Sequence, residues 1–170
     1  MTDKILVLLR HAKSDWPDDV PDHDRPLAKR GKRDAPSAGR WLRANGYLPD
    51  DVICSTARRT RETWALVEAS LFAPSDPVTV RFEPRAYAAS ASTLLYLAGE
   101  LPPGTQTALI IAHNPGISEL AAALTAEEGT TRGQIGFPTT GLGVLTFAGR
   151  WADLAPGAAR LAAFVTPADM

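Results

Sequence analysis

Cysteine is nearly absent from this 170-residue chain, which carries Cys54 alone. A lone thiol excludes an intrachain disulfide and leans toward a reducing compartment. An excess of charge is missing as well: 18 Lys and Arg stand against 19 Asp and Glu, a formal net charge of −1. That balance argues against a generally basic nucleic-acid binder. No apolar stretch approaches the ~20 residues that span a bilayer. Nor does the N-terminus have the shape of a signal peptide, with Asp3 acidic and the apolar run before Arg10 short. A cytoplasmic protein is expected, without membrane or nucleic-acid partners. Histidine is scarce, and His11, His23 and His113 show neither His-x3-His nor paired-Cys spacing. No metal and no cofactor are expected. Repeats, low-complexity tracts and linkers are also lacking, so residues 1–170 are expected to form one domain.

What is present begins with Ile5-Leu6-Val7-Leu8-Leu9, an apolar run that reads as a strand buried on both faces of a parallel sheet. It stops at Arg10-His11, two groups costly to bury without a partner. Residues 14–25 form a loop with Asp15, Asp18, Asp19, Asp22 and Asp24, broken by proline. A helix is predicted from Lys29 to Asn45, with Gly31, Ala35, Ala38 and Leu42 on one face, Gly46 as its stop and Pro36 obscuring its start. Val52-Ile53-Cys54 is a second buried run. The helix after it, to about Leu71, has either Ser55 or Thr56 as cap and Arg58, Arg59 and Arg61 in its first turn. Val78–Phe82 alternates as a half-buried strand. Ser90 or Ser92 opens a helix through Ala98. Ala108–Ala112 nearly copies the opening run and ends at His113-Asn114-Pro115-Gly116, where Asn114 and Pro115 suit the start of a helix to Leu124. Residues 129–143 read as loop, and two strands near 144–147 and 161–165 close the chain as an antiparallel hairpin.

In open parallel sheets, ligands bind beyond the carboxyl ends of the strands. Three buried runs end there in Arg10-His11, in an arginine-rich helix start and in His113. Cations are unfavourable at a helix N-terminus unless an anion is bound there. Two guanidiniums and two imidazoles suit a tetrahedral phosphate, with arginine as a forked clamp and a histidine nitrogen able to attack phosphorus. Helical spacing does not choose among Arg58, Arg59 and Arg61. The scheme requires no divalent metal.

These residues resemble the histidine phosphatase superfamily, the phosphoglycerate mutase-like group, and above all its small SixA-type phosphohistidine phosphatases. The family's Arg-His-Gly appears as Arg10-His11-Ala12. Asp24-Arg25-Pro26-Leu27 with Gly31 is similar to the family's lead into its first helix. Ser55 to Thr63 is similar to its Ser-x-x-x-Arg-Ala-x-Gln/Glu-Thr stretch, and His113-Asn114-Pro115-Gly116 to its second-histidine motif. The resemblance, running from Ile5 to about Pro167, implies a three-layer α/β/α sandwich with a mostly parallel sheet. It implies that His11 is the nucleophile and that Arg10, Arg59 and His113 bind the transferred group, Arg59 being the arginine that the motif selects. Ser14 is expected to add a hydroxyl to the pocket.

Two departures bear on substrate. Ala12 replaces glycine, and Asn114 stands where the acid phosphatase branch places its proton donor. An alkoxide leaving group needs a proton in the transition state, whereas an imidazole, with a parent pKa near ~6.5, can leave unaided. Phosphohistidine or another small activated phosphate is therefore the expected substrate. The alternative is a phosphomonoesterase using Glu83, Asp15 or Asp18 as acid, or a non-catalytic phosphate- or phosphoprotein-binding module. A cysteine phosphatase would need Cys-x5-Arg, and that arginine position is Thr60. Cys54 reads as buried packing, His23 as a loop histidine, and the four tryptophans as helix and hairpin packing.

Overall fold

The computed structural model describes residues 2–127 and 135–170. The chain runs β1 (Lys4–Arg10), α1 (Lys29–Ala44), β2 (Asp51–Ser55), α2 (Arg58–Leu71), β3 (Thr79–Glu83), α3 (Ala91–Gly99), β4 (Thr107–Ala112), α4 (Gly116–Leu124), β5 (Leu142–Phe147) and β6 (Ala159–Val165), with short 3-10 turns between. The strands form a six-stranded sheet in the order β3-β2-β4-β1-β5-β6. β1 to β4 are mutually parallel. β5 runs antiparallel to β1, and β6 to β5. The expected α/β architecture is found, mostly parallel sheet and closing hairpin included.

β1 shows why a helical layer is needed on each side. Successive side chains of a strand point to opposite faces. Leu6 and Leu8 pack with Leu94 and Leu97 of α3 and Ile117 and Leu120 of α4. Val7 and Leu9 turn the other way, onto Ala38 and Leu42 of α1 and Trp64 and Val67 of α2. Each such side chain, fully buried, contributes about 1.5–3 kcal/mol. The result is the α/β/α sandwich.

Local signals mostly match their elements. Gly46 takes φ 77° and donates to the Arg43 carbonyl at 3.2 Å, ending α1. Ser90 caps α3 by accepting from the Thr93 amide. Pro36 lies inside α1 without moving its start from Lys29, because the packed face of Gly31, Ala35, Ala38 and Leu42 carries the helix. A β-carbon on Gly31 would lie 2.2 Å from the Lys13 carbonyl oxygen. Only glycine lets α1 close onto the backbone just after His11.

Two expectations are corrected. Neither Ser55 nor Thr56 caps α2; its cap position is Ala57, which has no side-chain cap bond. Trp64 and Trp151 are core residues, but Trp16 is 74% exposed and lies over the Arg25 guanidinium, 3.2 Å from its Cζ to the ring centroid. Cys54 is fully buried, and burial pushes its thiol pKa up to about 12. The loop expected over 129–143 lies outside the described residues as far as 134; residues 135–141 have no regular structure, and Gly143 already belongs to β5. No helix among the described residues is long and apolar enough to cross a membrane.

Candidate active site

The sheet order brings the predicted residues together. β1 and β4 are neighbours with Arg10 opposite Ala112, so His11 and His113 emerge side by side, their ring centroids 5.3 Å apart. β2 lies on the other side of β4 and leads into α2, whose first turn carries Arg59. Burial separates the three arginines of that turn. Arg59 is 6% exposed, whereas Arg58 and Arg61 are exposed, bonded to Glu62 and to the Thr56 carbonyl.

His11 is held by its own chain. Its Nδ1–H donates to the Ala12 carbonyl at 2.8 Å, which places the ring proton on Nδ1 and the lone pair on Nε2. The Ala12 amide donates to Thr63 Oγ1 at 3.0 Å, fixing that carbonyl's peptide. Burial first, against the pull of the Ala12 carbonyl, and then the charges of Arg59, Arg10 and Arg25 bring the His11 pKa down to about 4. At neutral pH His11 is an uncharged imidazole with Nε2 uncommitted to any protein group among the described residues.

His113 is arranged in the opposite sense. Its Nε2 lies 2.8 Å from Ser55 Oγ. Ser55 Oγ accepts from the Ala57 amide at 3.3 Å and has its own proton to give to His113. The His113 proton then sits on Nδ1, as a donor. Burial first, then the neighbouring His11 and Arg59, lower the His113 pKa to about 3.

Among the described residues, the buried side-chain nitrogens and oxygens without a hydrogen-bond partner are Arg10 Nε, Arg59 Nε, His113 Nδ1, Thr140 Oγ1 and Arg81 Nη2. All but the Arg81 nitrogen belong to residues gathered at the carboxyl ends of β1 and β4. Leaving such a group unpaired costs about 1–3 kcal/mol. Donors concentrated in this way fit an oxyanion. Thr140 was not foreseen; its amide donates to the carbonyls of Arg10 and His11 at 3.2 and 3.1 Å. It adopts φ 62°, a strained conformation for a β-branched residue.

The loop after β1 folds back over this edge through a residue the sequence offered only as one of five acids. Asp22 accepts from Arg59 at its main-chain oxygen (2.7 Å) and at Oδ2 (3.1 Å). It also accepts from Arg25 at Oδ1 (3.0 Å) and from the Tyr87 hydroxyl at Oδ2 (2.6 Å). Tyr87 first, then Arg25 and Arg59, hold the Asp22 carboxyl well below the usual carboxylate range. Ser14 is buried, and its Oγ accepts from Arg25 Nη2 at 2.6 Å. His23 belongs to the same loop, 3.0 Å from Thr56 Oγ1 and edge-on to Tyr87.

Of the candidate acids, Glu83 lies opposite Ser55 in the β2–β3 register. Glu83 accepts from the amide, Nε and Nη2 of Arg85, and these bonds lower its pKa to about 2. Asp15 and Asp18 are exposed. Asn114 is a brace: its Nδ2 donates to the Phe137 carbonyl and its Oδ1 accepts from Ser118.

Known proteins share this fold. The family model of the histidine phosphatase superfamily, branch 1, matches residues 6–83. The solved structure of a candidate phosphohistidine phosphatase SixA from Nakamurella multipartitia is 33% identical, covers 98% of each chain and superposes with a TM-score of 0.86. The chain belongs to the histidine phosphatase superfamily. An uncharacterized protein of Mycobacterium tuberculosis is 43% identical over 164 residues, 94% of this chain and 99% of that one. A second SixA candidate, from Agrobacterium tumefaciens, is 26% identical with a TM-score of 0.80, over 98% of this chain and all of the other. Membership in this superfamily places the protein among phosphatases.

Proposed function

We propose that this histidine phosphatase hydrolyses phosphohistidine, or another small activated phosphate, through a covalent phosphohistidine intermediate on His11. The observation that carries the reading is the pairing of a neutral His11, its Nε2 lone pair free, with unpartnered donors on Arg10, Arg59 and His113. In the first step Nε2 attacks phosphorus, the bond from phosphorus to the leaving nitrogen breaks, and its electron pair stays on the departing imidazole. Arg10, Arg59 and the His113 Nδ1–H hold the charge spread over the phosphoryl oxygens. In the second step water attacks phosphorus, releasing inorganic phosphate and restoring His11. Ser14 serves this scheme through Arg25.

The substrate class follows from proton supply. Asp22 and Glu83 are both held ionised by their donors, so neither has a proton for an alkoxide. A leaving imidazole protonated at its far nitrogen needs none. The test is rapid acid-free quenching with labelled phosphohistidine, followed by mapping of the labelled imidazole. Label on His11 in the wild type, none in His11→Ala, and faster turnover of phosphohistidine than of an alkyl phosphate are expected. Label retained in His11→Ala, or an alkyl ester turned over faster, would overturn the proposal.

A further inference from the structure

Arg59 is buried, yet its guanidinium is bonded, among the described residues, by Asp22 alone: Nη1 to the main-chain oxygen and Nη2 to Oδ2. The Nε–H on its flank is buried and unpaired. Arg10 repeats the pattern, with Nη1 tied to the Phe137 carbonyl at 2.9 Å and Nε unpaired. In each arginine the tip is anchored to protein and the flank is left over. Asp22 is itself braced by Arg25 at one carboxylate oxygen and by Tyr87 at the other. One carboxylate thereby sits between two guanidiniums that would otherwise repel each other.

We infer that Asp22 is a positioning residue for phosphoryl binding: it clamps the tip of Arg59 so that the Nε flank is left for the anion bound at His11. The inference rests on the reading of Arg59 as a phosphate ligand given above. A carboxylate near a cationic pocket could instead occupy the anion's own place. The clamp is favoured because a main-chain carbonyl shares the work at 2.7 Å, and a main-chain oxygen does not swing aside as a carboxylate does. The unpaired donor of Arg59 is also the one that Asp22 leaves untouched.

The two roles predict opposite signs. Tungstate, a tetrahedral oxyanion, is titrated calorimetrically into the wild type, Asp22→Ala, Asp22→Asn, Arg59→Ala and the two double variants. Turnover of p-nitrophenyl phosphate is followed in parallel. For the clamp, Asp22→Ala weakens tungstate and lowers kcat/KM by about 10–100-fold. Asp22→Asn, which keeps the shape and one acceptor oxygen, loses about 3–10-fold. In the Arg59→Ala background either change adds less than about 2-fold, because the partner through which Asp22 acts is gone. Tighter tungstate binding in Asp22→Ala, or fully additive losses in the double variants, would overturn the inference. If Asp22→Ala does not fold, Asp22→Asn and its double variant decide alone. A wild type that binds tungstate but turns over neither p-nitrophenyl phosphate nor phosphohistidine ends the proposed function and leaves the clamp to the titration; one that binds no tungstate ends both.

Discussion

The two arginines of the site are anchored by different kinds of structure. Arg10 ends β1, and its Nη1 is held by a backbone carbonyl, that of Phe137. The same oxygen accepts from Asn114, so one peptide ties the ends of β1 and β4 together. Arg59 starts a helix and depends on a loop residue whose carboxylate is shared with Arg25 and Tyr87. The strand-built half, with His11 and His113, owes its geometry to sheet register. The loop-built half owes its geometry to side chains that reach across from the 3-10 turn at Asp22–Asp24 and from Tyr87. In the proposed scheme the chemistry falls to the first half, and adjustment of the anion's grip to the second.

The contrast is broken first at His11. His11→Ala removes the atom proposed to attack, and turnover should fall by about 10⁴-fold or more with no phosphoenzyme detectable. Arg10→Ala should cost about 100–1,000-fold in kcat/KM on p-nitrophenyl phosphate, the loss of one preorganised donor. Ser55→Ala, which frees the His113 tautomer, should cost about 10-fold, mainly in kcat. Tyr87→Phe takes one donor from Asp22 and leaves the strand-built half untouched, so a rise of about 3–5-fold in KM is expected with kcat nearly constant. Glu83→Gln should change ester turnover by less than about 2-fold, since Arg85 already keeps that carboxyl from donating a proton; a selective loss on esters would restore Glu83 as an acid.

Acid separates the halves in another way. His11 and His113 titrate at about 4 and about 3 in the folded protein, against about 6.5 when unfolded. Between these limits the unfolded chain binds more protons, so stability rises with pH from about 3 to 6.5 and levels above it. Denaturant unfolding at pH 4.5 and 7.5 should show that loss, and it should shrink in His113→Gln. The carboxyls of Asp22 and Glu83, held low by their donors, add to the acid loss only below about pH 4.

The strand-built half was legible in the sequence because each of its residues directly follows an apolar run, and the register of a parallel sheet carries Arg10, His11 and His113 to one edge. Among the arginines of α2 the family motif singled out Arg59, which burial then set apart. The loop-built half was not legible. Asp22 looks no different from Asp15, Asp18, Asp19 and Asp24 until the loop is folded, and Tyr87 lies 65 positions away from it in the chain. Thr140 gave no signal, since a strained backbone angle has no pattern in composition or periodicity. Trp16 was misjudged because a tryptophan reads as packing, and stacking on a guanidinium cannot be seen in one dimension.

Cys54 sits at the end of β2, one residue from the Ser55 that serves His113, and its thiol is kept both buried and protonated. Sulfur chemistry runs through the thiolate, so hydrogen peroxide or an alkylating agent finds nothing to attack there. If imidazole nitrogen carries the phosphoryl group as proposed, the protein should keep its rate under an oxidative burst that silences enzymes built on a cysteine nucleophile.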